Sequence, residues 1–126
     1  MLVKQRLVPK TILLEWIRSM DPKYQQKLED ITLSSGIDFL TLEEETKIKG
    51  FLSTILREDE LTLLRKLMSN CNGIEWERPI QECPSQVLIG LRLARYDCGR
   101  GERLLKATKF AFLPQIQYLI GLTRSY

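Results

Sequence analysis

Histidine is absent from this 126-residue chain, and its cysteines, Cys71, Cys83 and Cys98, contain no Cys-x-x-Cys pair. Structural zinc sites need four nitrogen or sulfur ligands, usually at short spacings, so we expect no bound metal. Serine and cysteine nucleophiles usually need a histidine base, so the same absence argues against an enzyme of that kind. We therefore expect no catalysis, no cofactor, and free thiols in a reducing cytoplasm.

Long apolar runs are also missing, whereas roughly 20 apolar residues are needed to cross a bilayer. Residues 1–12 carry three basic side chains but no apolar core of signal-peptide length, so the sequence predicts no export signal. Apolar residues make up 44% and charged residues 28% of the chain, which is typical of globular proteins. The sequence thus predicts one domain, residues 1–126, that is cytoplasmic and has no membrane partner.

Apolar residues recur at helical spacing along most of the chain, with no strand-like alternation longer than a few residues. We expect helices at Thr11–Met20, Pro22–Leu33, Thr41–Leu56, Ser85–Asp97, Glu102–Phe112 and Gln115–Leu122, and another that begins at Glu58 or Asp59 and is closed by Asn70–Gly73. Pro79 and Pro84 exclude a continuous helix between Gly73 and Pro84. The predicted fold class is therefore all-α, a compact helical bundle of about five to seven helices.

Two helix starts have specific signals. Asp21 precedes Pro22, and aspartate suits a cap while proline suits the first helical position. Thr41 and Glu44 have the spacing of a capping box, in which each side chain bonds the other residue's backbone amide. The glutamates Glu43, Glu44 and Glu45 then suit the positive end of that helix, which we favour over a metal site.

Charge is distributed unevenly along the chain. Residues 29–63 hold nine acidic and three basic side chains, whereas residues 84–126 hold seven basic and two acidic ones. Basic residues after Pro84 recur mainly at three-residue intervals, which places them on one side of the two predicted helices. The predicted nucleic-acid-binding residues are Arg92, Arg95, Arg100, Arg103, Lys106 and Lys109.

Such a track, with the amides that begin the sixth predicted helix, has the geometry of a sequence-independent phosphate site. Tyr96 would add a stacking surface for a base. The alternative is that these residues are solvated faces of amphipathic helices. The apolar end of the chain, from Phe110 to Leu122, likewise has two interpretations: it seals the core, or it contacts another subunit.

With these features, the chain resembles the small subunit of class 1, Cascade-type CRISPR effector complexes. The match lies in helix count, size, the missing active site and the predicted basic track. The resemblance implies a non-catalytic protein that contacts copies of itself and other subunits. It also implies binding to the backbone of the crRNA–target heteroduplex or of single-stranded DNA. In some subtypes the equivalent helical part forms the C-terminal end of the large subunit.

Two other functions remain open on the sequence. One is a sequence-specific DNA-binding regulator, for which no clean helix-turn-helix is found unless residues 56–73 contain one. The other is a helical protein–protein adaptor that binds no nucleic acid and uses the acidic middle and the apolar C-terminus.

Overall fold

The computed structural model describes residues 8–75, 85–97 and 104–123. The helices are α1 (Lys10–Ser19), α2 (Pro22–Thr32), α3 (Leu42–Ile55), α4 (Glu58–Ser69), α5 (Ser85–Gly90) and α6 (Pro114–Ile120), with a 3-10 helix at Lys109–Phe112. The strands are β1 (Ile74–Glu75), β2 (Ala94–Asp97) and β3 (Leu104–Ala107). Within these ranges, no helix combines the length and apolar character needed to cross a membrane.

The first four helices confirm the sequence prediction to within about one residue at most ends, the usual uncertainty of helix boundaries. Thr41 caps α3 as expected: its hydroxyl accepts from the Glu44 amide at 3.2 Å, and the Glu44 carboxylate accepts from the Thr41 amide at 2.9 Å. Asp21 precedes α2 as expected, but its side chain makes no capping hydrogen bond. That carboxylate faces Arg92 instead, at 3.7 Å.

The fold is mainly helical, but the prediction of a purely all-α bundle is wrong. Three short strands form an antiparallel sheet in the order β1-β3-β2, so β3 is central. Leu105 lies opposite both Ile74 and Tyr96, and its side chain is fully buried. The sheet therefore closes the core with one face and presents the other to solvent.

The predicted helix at Ser85–Asp97 ends early, at Gly90, in a Schellman motif. The amide of Leu93 donates to the Leu88 carbonyl at 2.8 Å, and the amide of Arg92 to the Ile89 carbonyl at 3.0 Å. These bonds require a left-handed residue at Arg92, whose φ is 57°. Glycine usually occupies that position, so an arginine there gives no sequence signal of a helix end. The chain then continues directly into β2.

The predicted helix at Glu102–Phe112 is replaced, in its described part, by β3 and the 3-10 helix. Only four residues form β3, which is too short for alternation to be recognised in a sequence. The last helix, α6, confirms its prediction and buries Ile116, Leu119 and Ile120. It lies against α3, so this part of the apolar C-terminus seals the core.

A buried ion pair, not predicted from the sequence, joins the start of α1 to the start of α3. Lys10 Nζ lies 3.0 Å from Glu44 Oε2, and both side chains are almost fully buried. The same carboxylate oxygen accepts from the Ser34 hydroxyl at 3.1 Å and from the Ser35 amide at 3.2 Å. Burial raises the pKa of Glu44, but the hydrogen bonds from Thr41, Lys10 and Ser34 outweigh it and lower the pKa to about 2.

This network predicts a specific acid sensitivity. Because the folded pKa of Glu44 lies below its ordinary value of 4.5, its stabilisation is present above pH 4.5 and lost as the pH falls towards 2. The shift corresponds to about 3 kcal/mol. We expect the difference in unfolding free energy between wild type and Glu44→Gln, measured by urea titration, to shrink by about that amount over this range. Glu43→Gln, at an exposed neighbour, is the matched control; a wild-type–Glu44→Gln difference that does not change with pH would contradict the prediction.

Candidate nucleic-acid interface

The hairpin of β2 and β3 places two of the predicted basic residues side by side. Arg95 lies directly opposite Lys106 in the antiparallel register, and directly opposed residues project from the same face of a sheet. This is the solvent face, because the flanking pair Tyr96–Leu105 projects towards the core. Arg95 is exposed and Lys106 is half-buried. The hairpin thus replaces the predicted helical stripe as the element that holds these charges.

Lys106 is held in place from two directions. Its Nζ lies 3.1 Å from Asp97 Oδ2, a carboxylate two residues along β2 on the same face as Arg95. Its aliphatic stem packs on Gly73, where an added Cβ would come within 2.8 Å of Lys106 Cγ. The side chain is therefore fixed on the outer face, and its charge is partly balanced by Asp97.

Arg92 does not belong to this face. Its Nε donates to the Ser19 carbonyl at 2.8 Å, its Nη1 donates to the Ile89 carbonyl at 3.1 Å, and its Nη2 faces Asp21. These contacts join the end of α1 and the start of α2 to the end of α5. The structure therefore gives Arg92 a role in holding helices together, and the predicted common helical face of Arg92 and Arg95 does not exist.

Lys109 pairs with Glu15 of α1 at 3.1 Å, and both side chains are largely exposed. Such surface pairs contribute little free energy, so Lys109 can exchange Glu15 for another anion at small cost. Its ammonium also lies 5.1 Å from the centre of the Phe110 ring. Lys109 precedes α6 in the 3-10 helix and is not in register with Arg95 and Lys106.

The predicted phosphate site also included Arg100, Arg103, the ring of Tyr96 and the start of the sixth predicted helix. Arg100 and Arg103 lie in the connection between β2 and β3, outside the described residues. Tyr96 packs on the core side of the hairpin, so it offers no stacking surface beside Arg95. Leu104 begins a strand, so the described chain has no helix start there to supply amides to an anion.

The structure offers little for metal chemistry in the ranges it describes. No three Cys, Asp or Glu side chains of those ranges gather to hold an ion. Cys71 is exposed and unpaired, while Cys83 and Cys98 lie outside those ranges. On its outer face the sheet carries Arg95 and Lys106 together with two acidic residues, Asp97 and the exposed Glu75 of β1.

A second surface was missed by sequence reasoning. Between α2 and α3, four large apolar side chains are 44% to 68% exposed: Leu33, Ile37, Phe39 and Leu42. The available signal was Ile37-Asp38-Phe39, a short alternation between the helices that the helical interpretation left unassigned.

Comparisons identify no relative of this chain: no family model, no curated protein and no solved structure matches it.

The different roles of two neighbouring arginines can be tested by stability. Arg92→Ala removes two charge-assisted hydrogen bonds to carbonyls, so we expect it to lower the unfolding free energy by about 2 kcal/mol in urea titration. Arg95→Ala changes only an exposed side chain, so its effect should stay within about 0.5 kcal/mol. Equal losses in the two variants would show that Arg92 does not have the structural role described.

Proposed function

We propose that this chain is a non-catalytic nucleic-acid-binding subunit whose β2–β3 hairpin holds a phosphate backbone. The observation that carries the proposal is the register of the hairpin, which places Arg95 beside Lys106 on the solvent face. The connection that follows this pair in the hairpin carries Arg100 and Arg103. Positive side chains of this kind contact phosphates and carry no base information, so the proposed binding is independent of sequence.

The form of the element supports this ligand. An antiparallel sheet can contact a nucleic acid with its solvent face, and the side chains that project from that face reach the phosphate backbone. Asp97 beside Lys106 reduces the local positive charge. We therefore propose weak binding by the isolated subunit that becomes effective when other contacts hold the same nucleic acid.

The specific form of the proposal is a subunit of a class 1 CRISPR effector complex. The chain length and the mainly helical fold support it, while the three-stranded sheet departs from the all-helical character of that family. Its ligand would be the crRNA–target heteroduplex or single-stranded DNA, held together with other subunits. A sequence-reading regulator is less well supported, because residues 58–69 form one helix and no two-helix motif with a glycine turn lies within residues 56–73.

A second candidate, a protein–protein adaptor, is favoured by a different observation. Leu33, Ile37, Phe39 and Leu42 are all exposed within ten residues from the end of α2 to the start of α3, and exposed apolar side chains that cluster in this way are typical of protein-contact sites. The adaptor function does not need the basic hairpin. The two candidates are therefore distinguished by whether nucleic-acid binding depends on that hairpin.

Charge reversal on the hairpin tests the nucleic-acid proposal. We expect Arg95→Glu combined with Arg103→Glu to weaken binding to duplexes and single strands of all sequences alike. If both residues contact phosphates, the slope of log affinity against log salt should fall by about two units, roughly one for each lost contact. The measurement is fluorescence anisotropy of labelled DNA and RNA at several salt concentrations.

The control is Lys27→Glu with Lys47→Glu, which makes the same change in net charge at exposed positions of α2 and α3. It should change the slope much less, because those lysines lie away from the hairpin. If both double variants retain wild-type affinity and slope, the basic residues are solvated surface charges. The protein–protein adaptor would then be the better supported of the two candidate functions.

A further inference from the structure

The segment between α2 and α3 contains a short extended stretch with one paired edge. The amide of Leu40 donates to the Val8 carbonyl and the amide of Lys10 donates to the Asp38 carbonyl, both at 2.9 Å. Between these bonds Pro9 lies opposite Phe39 in an antiparallel bridge. The bridge position needs no amide hydrogen from residue 9, which explains why a proline is accommodated there.

The other edge of this stretch is open. Successive residues of an extended chain direct their amide and carbonyl groups to opposite sides, so those of Phe39 point away from Pro9. Within the described ranges, neither backbone group of Phe39 has a hydrogen-bond partner in the protein. An exposed edge of this kind is a template for a further strand.

The side chains on this edge alternate in chemistry. Ile37 and Phe39, two residues apart, are about half exposed, and the acidic Asp38 between them is exposed at a bend of the chain. Leu33 and Leu42, also exposed, lie at the two ends of the segment. A peptide segment paired beside Phe39 would meet two exposed apolar side chains and the carboxylate of Asp38 between them.

The segment is held firmly by the buried network below it. Glu44 accepts hydrogen bonds from Ser34 and Ser35 at its start and from Thr41 at its end, while Lys10 donates to both Ser35 and Glu44. Because both ends of the segment are fixed, a partner would lose little free energy in ordering it.

The charge around the segment selects the partner. Residues 28–46 contain six acidic side chains and no basic one. Lys10, Lys47 and Lys49 neutralise Glu44, Glu43 and Glu45 respectively. The carboxylates of Glu29, Asp30 and Asp38 have no ion-pair partner within the described ranges. A nucleic acid would be repelled here, whereas a basic peptide would be attracted.

We propose that the open edge at residues 37–39 binds an extended peptide segment of another protein in which apolar and basic residues alternate. The segment adds a strand beside Phe39 by backbone hydrogen bonding. Its apolar side chains cover Ile37 and Phe39, and a lysine or arginine lies beside Asp38. This site is independent of the basic hairpin, so the proposal does not depend on nucleic-acid binding.

The test uses the whole ¹⁵N-labelled chain and an acetylated, amidated peptide of sequence Val-Lys-Val-Lys-Val. In ¹H–¹⁵N spectra we expect saturable shifts centred on the amides of residues 37–40. Phe39→Ser should weaken binding about tenfold or more, the loss expected for one aromatic contact. The matched control is Phe112→Ser. It changes a phenylalanine that is 51% exposed but lies in the 3-10 helix that begins at Lys109, so this variant should bind as wild type does.

Three further peptides separate strand addition from simple charge attraction. Val-Glu-Val-Glu-Val should not bind. Two versions of the lysine peptide, N-methylated at either the valine or the lysine positions, should differ, because only the edge that faces Phe39 needs free amides. Equal affinity of the two methylated peptides, shifts located elsewhere, or no binding at millimolar peptide would overturn the proposal. Self-association that Phe39→Ser abolishes, measured by sedimentation without peptide, would also overturn it, since a second copy would then be the occupant.

Discussion

A buried hydrogen bond from Trp16 to the Leu91 carbonyl, 2.6 Å long, fixes the corner on which the rest of this fold depends. Trp16 is fully buried, and its indole N–H would lose free energy if left unpaired there. The carbonyl it needs is available because α5 ends in a Schellman motif at Leu91–Leu93. The amide of Asp21 donates to Gly90 at 3.0 Å in the same corner. Gly90 leaves room for Tyr24, whose ring lies 2.8 Å from where a Cβ would be.

The same corner determines where the sheet lies. The amide of Thr108 donates to the Leu93 carbonyl at 2.9 Å, and its hydroxyl donates to the Arg92 carbonyl. The end of β3 is thereby attached to the turn that begins β2, which supports the register of Arg95 opposite Lys106. A left-handed arginine is costly in backbone terms, and its three side-chain contacts with α1, α5 and Asp21 offset that cost. The position of the β2–β3 hairpin therefore depends on Arg92, which the sequence had predicted to be a nucleic-acid-binding residue.

Sequence reasoning succeeded where the structural signal is local. The capping box of Thr41 and Glu44, the break before Pro22 and the apolar periods of α1 to α4 are all contained within a few neighbouring residues. It failed where the determinant is distant. The end of α5 depends on Trp16 and Ser19, which are more than seventy positions away in the chain. Lys10 and Glu44 are likewise 34 positions apart, so neither residue alone indicates a buried pair.

Counting charge along the chain overestimates the positive surface for the same reason. Arg92 and Lys109 contact Asp21 and Glu15, which lie in the first 28 residues of the chain, and Lys106 contacts Asp97. The charge balance of residues 84–126 counts Arg92 and Lys109 as excess positive charge, whereas in the fold each lies beside an acid from outside that range. The apolar segment from Leu33 to Leu42 keeps its acidic surroundings, because the buried lysine beside it, Lys10, is paired with Glu44. The hairpin base contacts the start of α2 and the apolar segment follows its end, about 16 Å further along that helix. The turn that begins the hairpin and the apolar segment thus adjoin opposite ends of α2, so the two proposed binding surfaces share no residue.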